Sequence, residues 1–194
     1  MTSSFFALLS RMKYITRWGL MRNTLPENLM AHSFETAIFA HVLAEIGNHR
    51  FKKSYDVGRA ALLALYHDAT EIFTGDLPTP VKYANQTLRE SYRQAEKDAQ
   101  HRLTSKLPTD LRPVYESLFS PSVAESKLMI LVKAADKLSA LVKCIEEKNA
   151  GNKEFQKAAA AQLSYLENMH LPEVDYFLKE FLPAFYLTLD EQES

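Results

Sequence analysis

The densest reactive group in the sequence is Tyr66-His67-Asp68-Ala69-Thr70-Glu71. On a helix, His67 and Glu71 fall four residues apart and Asp68 and Glu71 three apart, so an imidazole and two carboxylates share one edge. Imidazole nitrogen with carboxylate oxygen is a ligand set for a divalent cation. Leu62, Leu63 and Leu65 make this helix apolar enough to be buried. Burying His, Asp and Glu together is costly unless a compensating charge is present, and a cation supplies one. Taken alone, a His-Asp pair is more often a surface pair or a histidine hydrogen-bonded to its neighbours. Adjacent side chains also project about 100° apart on a helix, so further ligands must come from distant segments.

Two residues stand out as such ligands. His32 starts a helix after a polar loop, and Asp136 adjoins the apolar line of Leu128, Ala135 and Val142. Each has an ordinary reading beside the chemical one. His32 alone is a helix N-terminal residue, and Asp136 alone is an ion-pair partner of Lys133 or Lys137.

The elements that must carry these residues are helices. The 194 residues hold 48 Leu and Ala against 14 Val and Ile, with only five Gly. Unbranched residues favour helix, β-branched ones favour strand, and few glycines leave few tight turns, so a mainly β fold is excluded. Helical spacing or caps mark residues 5–14, 32–47 with Gly47 as a stop, 57–73 capped by Asp56, 85–106, 111–119, 122–149, 154–169 and 175–185 with Pro183 interrupting. Residues 16–29 read as loop, and Thr74-Gly75-Asp76-Leu77-Pro78-Thr79-Pro80 breaks helix outright. The expectation is an all-α bundle of seven or eight helices, forming one domain over 1–194.

The net charge is −1, from 23 Lys+Arg against 24 Asp+Glu. That balance excludes a polyanion coat, so no nucleic acid polymer is expected as partner; a small phosphorylated substrate needs only a local patch. No run of 18 apolar residues is present, so no membrane span is expected. The single Cys144 and the lack of a basic region before the apolar N-terminal run point to the reducing cytoplasm.

The order His32, His67-Asp68 and Asp136 covers 105 residues of a helical chain. It resembles the H…HD…D order of the HD-domain metal-dependent phosphohydrolases. The likeness narrows on Ile15-Thr16-Arg17-Trp18-Gly19-Leu20-Met21-Arg22, on Glu27-Asn28 with His32-Ser33, on Tyr66 to Glu71, on Thr74-Gly75-Asp76-Leu77-Pro78-Thr79-Pro80-Val81-Lys82-Tyr83 and on Glu173-Val174-Asp175-Tyr176-Phe177. These segments resemble the YfbR-type bacterial 5′-deoxynucleotidases.

The resemblance implies an all-α homodimer that depends on one divalent cation (cobalt, manganese or another transition ion). It implies removal of phosphate from 2′-deoxyribonucleoside 5′-monophosphates and discrimination against the ribo forms. By position, His32, His67, Asp68 and Asp136 are the implied metal ligands, with His32, Asp68 and Asp136 also touching substrate. Glu71 is the implied acid/base residue, and Arg17 orients the phosphate with a planar fork. Trp18, Asp76, Leu77, Pro78 and Thr79 hold the nucleoside. An apolar wall at Trp18 would leave a ribose 2′-hydroxyl unpaired, at roughly 1–3 kcal/mol.

Ordinary readings remain for these residues too. Glu71 is then a further ligand or an ion-pair partner, Trp18 a core residue, and Asp76 a turn residue before Pro78. Two rival functions stand beside the first. One is an HD-domain phosphohydrolase acting on a triphosphate, a cyclic nucleotide or an alarmone, which calls for more Lys and Arg around the ligands. The other is a non-catalytic helical scaffold.

Overall fold

In the computed structural model, residues 2–82 and 84–193 are described, apart from the side chain of Thr79. Tyr83, the last residue of the Asp76 loop motif, lies outside the described residues. Among these residues are eleven α-helical segments and no strand. They are α1 (Phe5–Leu9), α2 (Leu29–Phe51), α3 (Val57–Tyr66), α4 (Glu71–Thr74), α5 (Thr79–Lys82), α6 (Gln86–Thr104), α7 (Arg112–Phe119), α8 (Ser126–Asn149), α9 (Gln156–Glu167), α10 (Pro172–Glu180) and α11 (Leu189–Gln192). Seven have eight residues or more, in line with the expected number, and the other four are single turns.

Side-chain caps explain where the long helices begin. Asn28 Oδ1 accepts from the Ala31 amide at 3.0 Å, Asp56 Oδ1 from Arg59 at 2.9 Å, and Asn85 Oδ1 from Leu88 at 2.8 Å. Each satisfies an amide that the first turn leaves without a partner. Ser122 and Glu125 cap each other reciprocally ahead of α8.

The core lies where α2, α3, α8, α9 and α10 meet. The stripe Leu128, Leu131, Val132, Ala135, Leu138, Val142 and Ile145 is buried throughout, as its spacing requires. A smaller cluster of Phe5, Leu103 and Leu107 ties α1 to α6. No helix among the described residues is long and apolar enough to cross a membrane.

Four local differences from the expected elements have physical causes. Residues 5–14 are not one helix: α1 tightens into a 3-10 turn at Ser10–Tyr14. Gly47 does not stop α2, which runs on to Phe51 and ends at Lys52 with φ 54°. A Cβ at Gly47 would sit 2.5 Å from the Tyr55 ring and 3.0 Å from Glu173, so this glycine serves packing. The last segment starts at Pro172, whose missing N–H costs nothing in a first turn, and Leu182–Tyr186 forms a separate 3-10 turn at Pro183.

The fourth difference bears on function. The helix over 57–73 breaks: α3 ends at Tyr66, residues 67–70 form a turn, and α4 begins at Glu71. The Ala64 carbonyl accepts from His67 Nδ1 at 2.6 Å and from the His67 amide at 3.4 Å. His67 thus uses its own side chain to occupy a carbonyl that the continuing helix needs.

Candidate active site

α2 and the turn after α3 bring His32, His67 and Asp68 together. His67 Nε2 lies 3.0 Å from Asp68 Oδ2, and His32 Nε2 lies 3.7 Å from the same oxygen. One ligand atom from each of the three lies within 4.8 Å of the others. Ligands held ~2.1 Å from one ion at tetrahedral or octahedral angles sit roughly 3–3.4 Å apart, so small shifts suffice for a shared cation. Asp136 on α8 reaches this group through His32, with Oδ1 3.3 Å from Nε2. Its Oδ2 is 3.0 Å from Lys137 Nζ, so the ion pair read as the ordinary role of Asp136 is also present.

Proton counting fits the histidines to a cation. His67 Nδ1 donates to a carbonyl, which directs Nε2 at the cluster; that buried Nε2 lies beside Asp68 Oδ2 at 3.0 Å but outside good hydrogen-bond geometry. His32 Nδ1 lies 3.0 Å from Ser139 Oγ, and the Ser139 hydroxyl donates to Glu35 Oε2 at 2.6 Å. Burial, partly offset by the Ser139 bond, holds Glu35 up at about 7; once Glu35 is ionised the serine proton is used, His32 Nδ1 is the donor and Nε2 keeps its lone pair. Burial, with smaller contributions from the cations Arg17 and His67, pushes His32 below its ordinary value and keeps the imidazole neutral.

The remaining charges are strongly displaced. Burial lowers His67, but the Asp68 carboxylate outweighs it and lifts the imidazole to about 9. Burial raises Asp68, and His67 reverses this, holding it at about 2. Burial holds Asp136 up, yet the His32 bond and Lys137 leave it well below the carboxylate range. Glu71 is buried, 5% exposed, with Oε1 3.4 Å from the Tyr92 hydroxyl and Oε2 lacking a partner. Burial, followed by the charges of Asp68 and Asp76, pushes Glu71 up to about 9.

The loop before α2 supplies the other half of the site. An antiparallel bridge pairs Thr16 with Asn28, and the Arg17 amide donates to the Glu27 carbonyl at 3.0 Å. Arg17 is buried, its Nη1 3.7 Å from both Asp68 Oδ2 and Asp76 Oδ1. Trp18 is half-buried at φ 58°, and its ring meets Phe155 edge-on.

Two adjoining cavities open here. One of about 590 Å³ is walled by Trp18, Leu20, Met21, Leu77, Pro78 and Pro80. The other, about 860 Å³, holds His67, Asp68 and Glu71 and is flanked by Lys82, Lys133 and Lys137. Arg17, Asp76, Leu77 and Asp136 line both. The structure thus brings together His32, His67, Asp68, Asp136, Glu71, Arg17, Trp18, Asp76, Leu77 and Pro78. Thr79 opens α5, and its side chain is outside the described residues.

Sequence reasoning gave no role to Glu35 and Ser139. A signal existed, because Glu35 follows His32 by three and Ser139 follows Asp136 by three, one helix face each. It also expected few basic residues near the ligands. The three lysines beside the second cavity come from α5 and α8 and are adjacent only in space; Lys82 is bound to Glu96 at 3.0 Å.

Known proteins fall into line with this geometry. A family model for 5′-deoxynucleotidase YfbR-like proteins matches residues 4–185. The chain is 47% identical over 189 residues to 5′-deoxynucleotidase YfbR of Escherichia coli, covering 97% of this chain and 95% of that one. It is 48% identical over 194 residues to a 5′-deoxynucleotidase of Erwinia tasmaniensis, covering 99% and 98%. An HD-domain phosphohydrolase from Listeria innocua superposes with a TM-score of 0.81 at 26% identity, over 98% of this chain and 92% of that one. Fold and site define an HD-domain phosphohydrolase. Within that class, the chain belongs to the YfbR-like 5′-deoxynucleotidase family.

Proposed function

We propose that this protein hydrolyses 2′-deoxyribonucleoside 5′-monophosphates to deoxynucleoside and phosphate, selects against ribonucleotides, and does so with residues 1–194 as one domain. The observation that carries the proposal is the shared wall of the two cavities. Arg17 and Asp76 stand between a cation-ready cluster and an apolar chamber of nucleoside size. The curated relatives named above are 5′-deoxynucleotidases.

His32, His67 and Asp68 would hold one divalent cation, with Asp136 closing the set. His67 Nε2, which lacks a hydrogen bond, and the neutral His32 fit that group. When bound, a cation supplies Lewis-acid activation of a phosphoryl oxygen and of water. Arg17 offers its Nη edge to the phosphate and fixes its orientation. Glu71 retains a proton at neutral pH in its buried position, which suits it to protonate the 5′-oxygen as the P–O bond breaks. Trp18 faces the sugar with an apolar surface that leaves a 2′-hydroxyl without a partner. Asp76 accepts from the 3′-hydroxyl, while Leu77 and Pro78 close the chamber.

The protein works as a homodimer in the cytoplasm. Phe34 and Ile38 on α2, and Leu62 and Leu65 on α3, are exposed apolar side chains on two packed helices. Cys144 is free and buried, in keeping with a reducing compartment. Sedimentation of the native protein checks the dimer.

The deciding experiment is phosphate release from paired deoxy- and ribonucleoside 5′-monophosphates, with cobalt, manganese or magnesium, by native protein and Asp136→Ala. Cation-dependent release from the deoxy member, lost in Asp136→Ala, is the expected result. Faster turnover of triphosphates, cyclic nucleotides or alarmones would assign the site to another HD-domain reaction. Absence of a bindable cation would leave a scaffold.

A further inference from the structure

The Glu27 carboxylate is the feature for which the reaction outlined above has no use. Glu27 Oε2 accepts from Trp18 Nε1 at 2.7 Å and from Arg17 Nε at 3.2 Å. The two donors are the side chains assigned to the sugar wall and to the phosphate. Both ends of the arrangement are fixed. The Glu27 carbonyl takes the Arg17 amide, and the isolated Thr16–Asn28 bridge holds the two arms of the loop side by side. The Glu27 side chain is 11% exposed and the Arg17 side chain 10%, so little water competes for these bonds. Because Glu27 occupies the Nε edge of Arg17, the Nη edge stays turned toward Asp68, Asp76 and the cavities. Because it also occupies Nε1 of Trp18, the indole has one polar anchor and presents its remaining surface as an apolar wall.

We propose that Glu27 is a positioning residue for substrate specificity: one carboxylate sets the indole that reads the sugar and the guanidinium that orients the phosphate, so the two recognitions are coupled. The inference rests on the substrate class proposed above. Without an acceptor at position 27, the indole loses its anchor and can rotate away from C2′. Without a negative charge there, Arg17 is freer to turn its fork toward Asp68 and Asp76. Sugar selectivity therefore depends on the acceptor at position 27, and phosphate binding on its charge.

Trp18 is the only tryptophan in the chain, so intrinsic emission reports on this indole alone. Two variants separate the functions. Glu27→Leu removes acceptor and charge, whereas Glu27→Gln keeps an acceptor and removes the charge. The Leu variant is expected to lower the deoxy/ribo ratio of kcat/KM by about tenfold or more, with red-shifted emission more open to acrylamide quenching. The Gln variant is expected to regain most of the ratio and the native emission, while KM rises for both sugars. A folded Glu27→Leu protein with native ratio or native emission overturns the proposal. Should that variant not fold, Trp18→Phe removes the same hydrogen bond from the other side, and an unchanged ratio in it overturns the proposal equally. A native protein with no preference between the two sugars would instead overturn the substrate reading, and the emission of the Glu27 variants would still decide whether Glu27 holds the indole.

Discussion

Glu71 shows how much a single position depends on its surroundings. It is buried and carries a carboxylate oxygen without a partner, close to the charges of Asp68 and Asp76. Glu71→Gln keeps shape and removes the titrating proton. Turnover should fall on the order of 10²–10⁴-fold while cation content stays native. Loss of cation, measured by elemental analysis, would make Glu71 a ligand instead. His32 and Asp136 are instructive in a different way. Each is unremarkable in its own segment, and only their order with His67-Asp68 gave them meaning. The hydrogen bond from His32 to Ser139 and on to Glu35 joins α2 to α8, a contact between residues over a hundred positions apart. Helical spacing puts Glu35 on the His32 face and Ser139 on the Asp136 face, but it does not pair the two helices.

Among the elements, the loop between Thr16 and Asn28 carries Arg17, Trp18 and Glu27, and it has little secondary structure of its own. α8 holds it in place. Glu147, fully buried, accepts from the Thr24 amide at 3.0 Å and the Leu25 amide at 3.0 Å, and is paired with Lys143, which also donates to the Leu25 carbonyl. Glu147→Ala leaves a buried ammonium and two amides without their partner. It should cost about 3–5 kcal/mol, read as a lower urea midpoint, and raise KM through displacement of Arg17. The helices were legible because caps and apolar stripes are local: Asn28, Asp56 and Asn85 marked starts, and the α8 stripe marked a core helix. The break at His67 was not legible, since it arises from a side chain folding back on the Ala64 carbonyl. Nor was the role of Gly47, which depends on Tyr55 packing against it from beyond the end of α2. Arg17, Trp18 and Asp76 were found through motif resemblance, whereas Lys143 and Glu147 read as ordinary helix charges.

For the molecule as a whole, the cluster links stability, pH and cation binding. His67 stands at about 9 against an ordinary 6.5, because the Asp68 carboxylate outweighs burial. Its contribution to the cation-free fold is complete below pH 6.5 and is lost as pH rises through about 9. Asp68 stands at about 2 against an ordinary 3.8, with His67 outweighing burial. Its contribution is complete above the ordinary value and is lost as pH falls through about 2. Both are therefore present in full between about pH 4 and 6.5. In the ligand role proposed for it, His67 would meet a cation in its neutral form, so binding should release about one proton per ion near pH 7. Affinity should then rise with pH until about 9. Calorimetry in two buffers of different ionisation enthalpy measures the proton. Thermal melts with and without chelator, from pH 4 to 9, measure the stability; a cation-free protein most stable at pH 9 would contradict this account.

Trp18 stands at φ 58°, in a region where a β-carbon crowds the following carbonyl at roughly 1–2 kcal/mol. The backbone at this position would be more at ease with glycine. Trp18→Gly should therefore be more resistant to denaturation than Trp18→Ala, by about 1 kcal/mol in urea titration, although both delete the same indole. The difference between the two variants would measure the conformational tension that the resting protein keeps at this position. Against the Phe155 contact and the Glu27 bond that the indole supplies, that tension is the smaller quantity, so neither variant should exceed the native protein in stability.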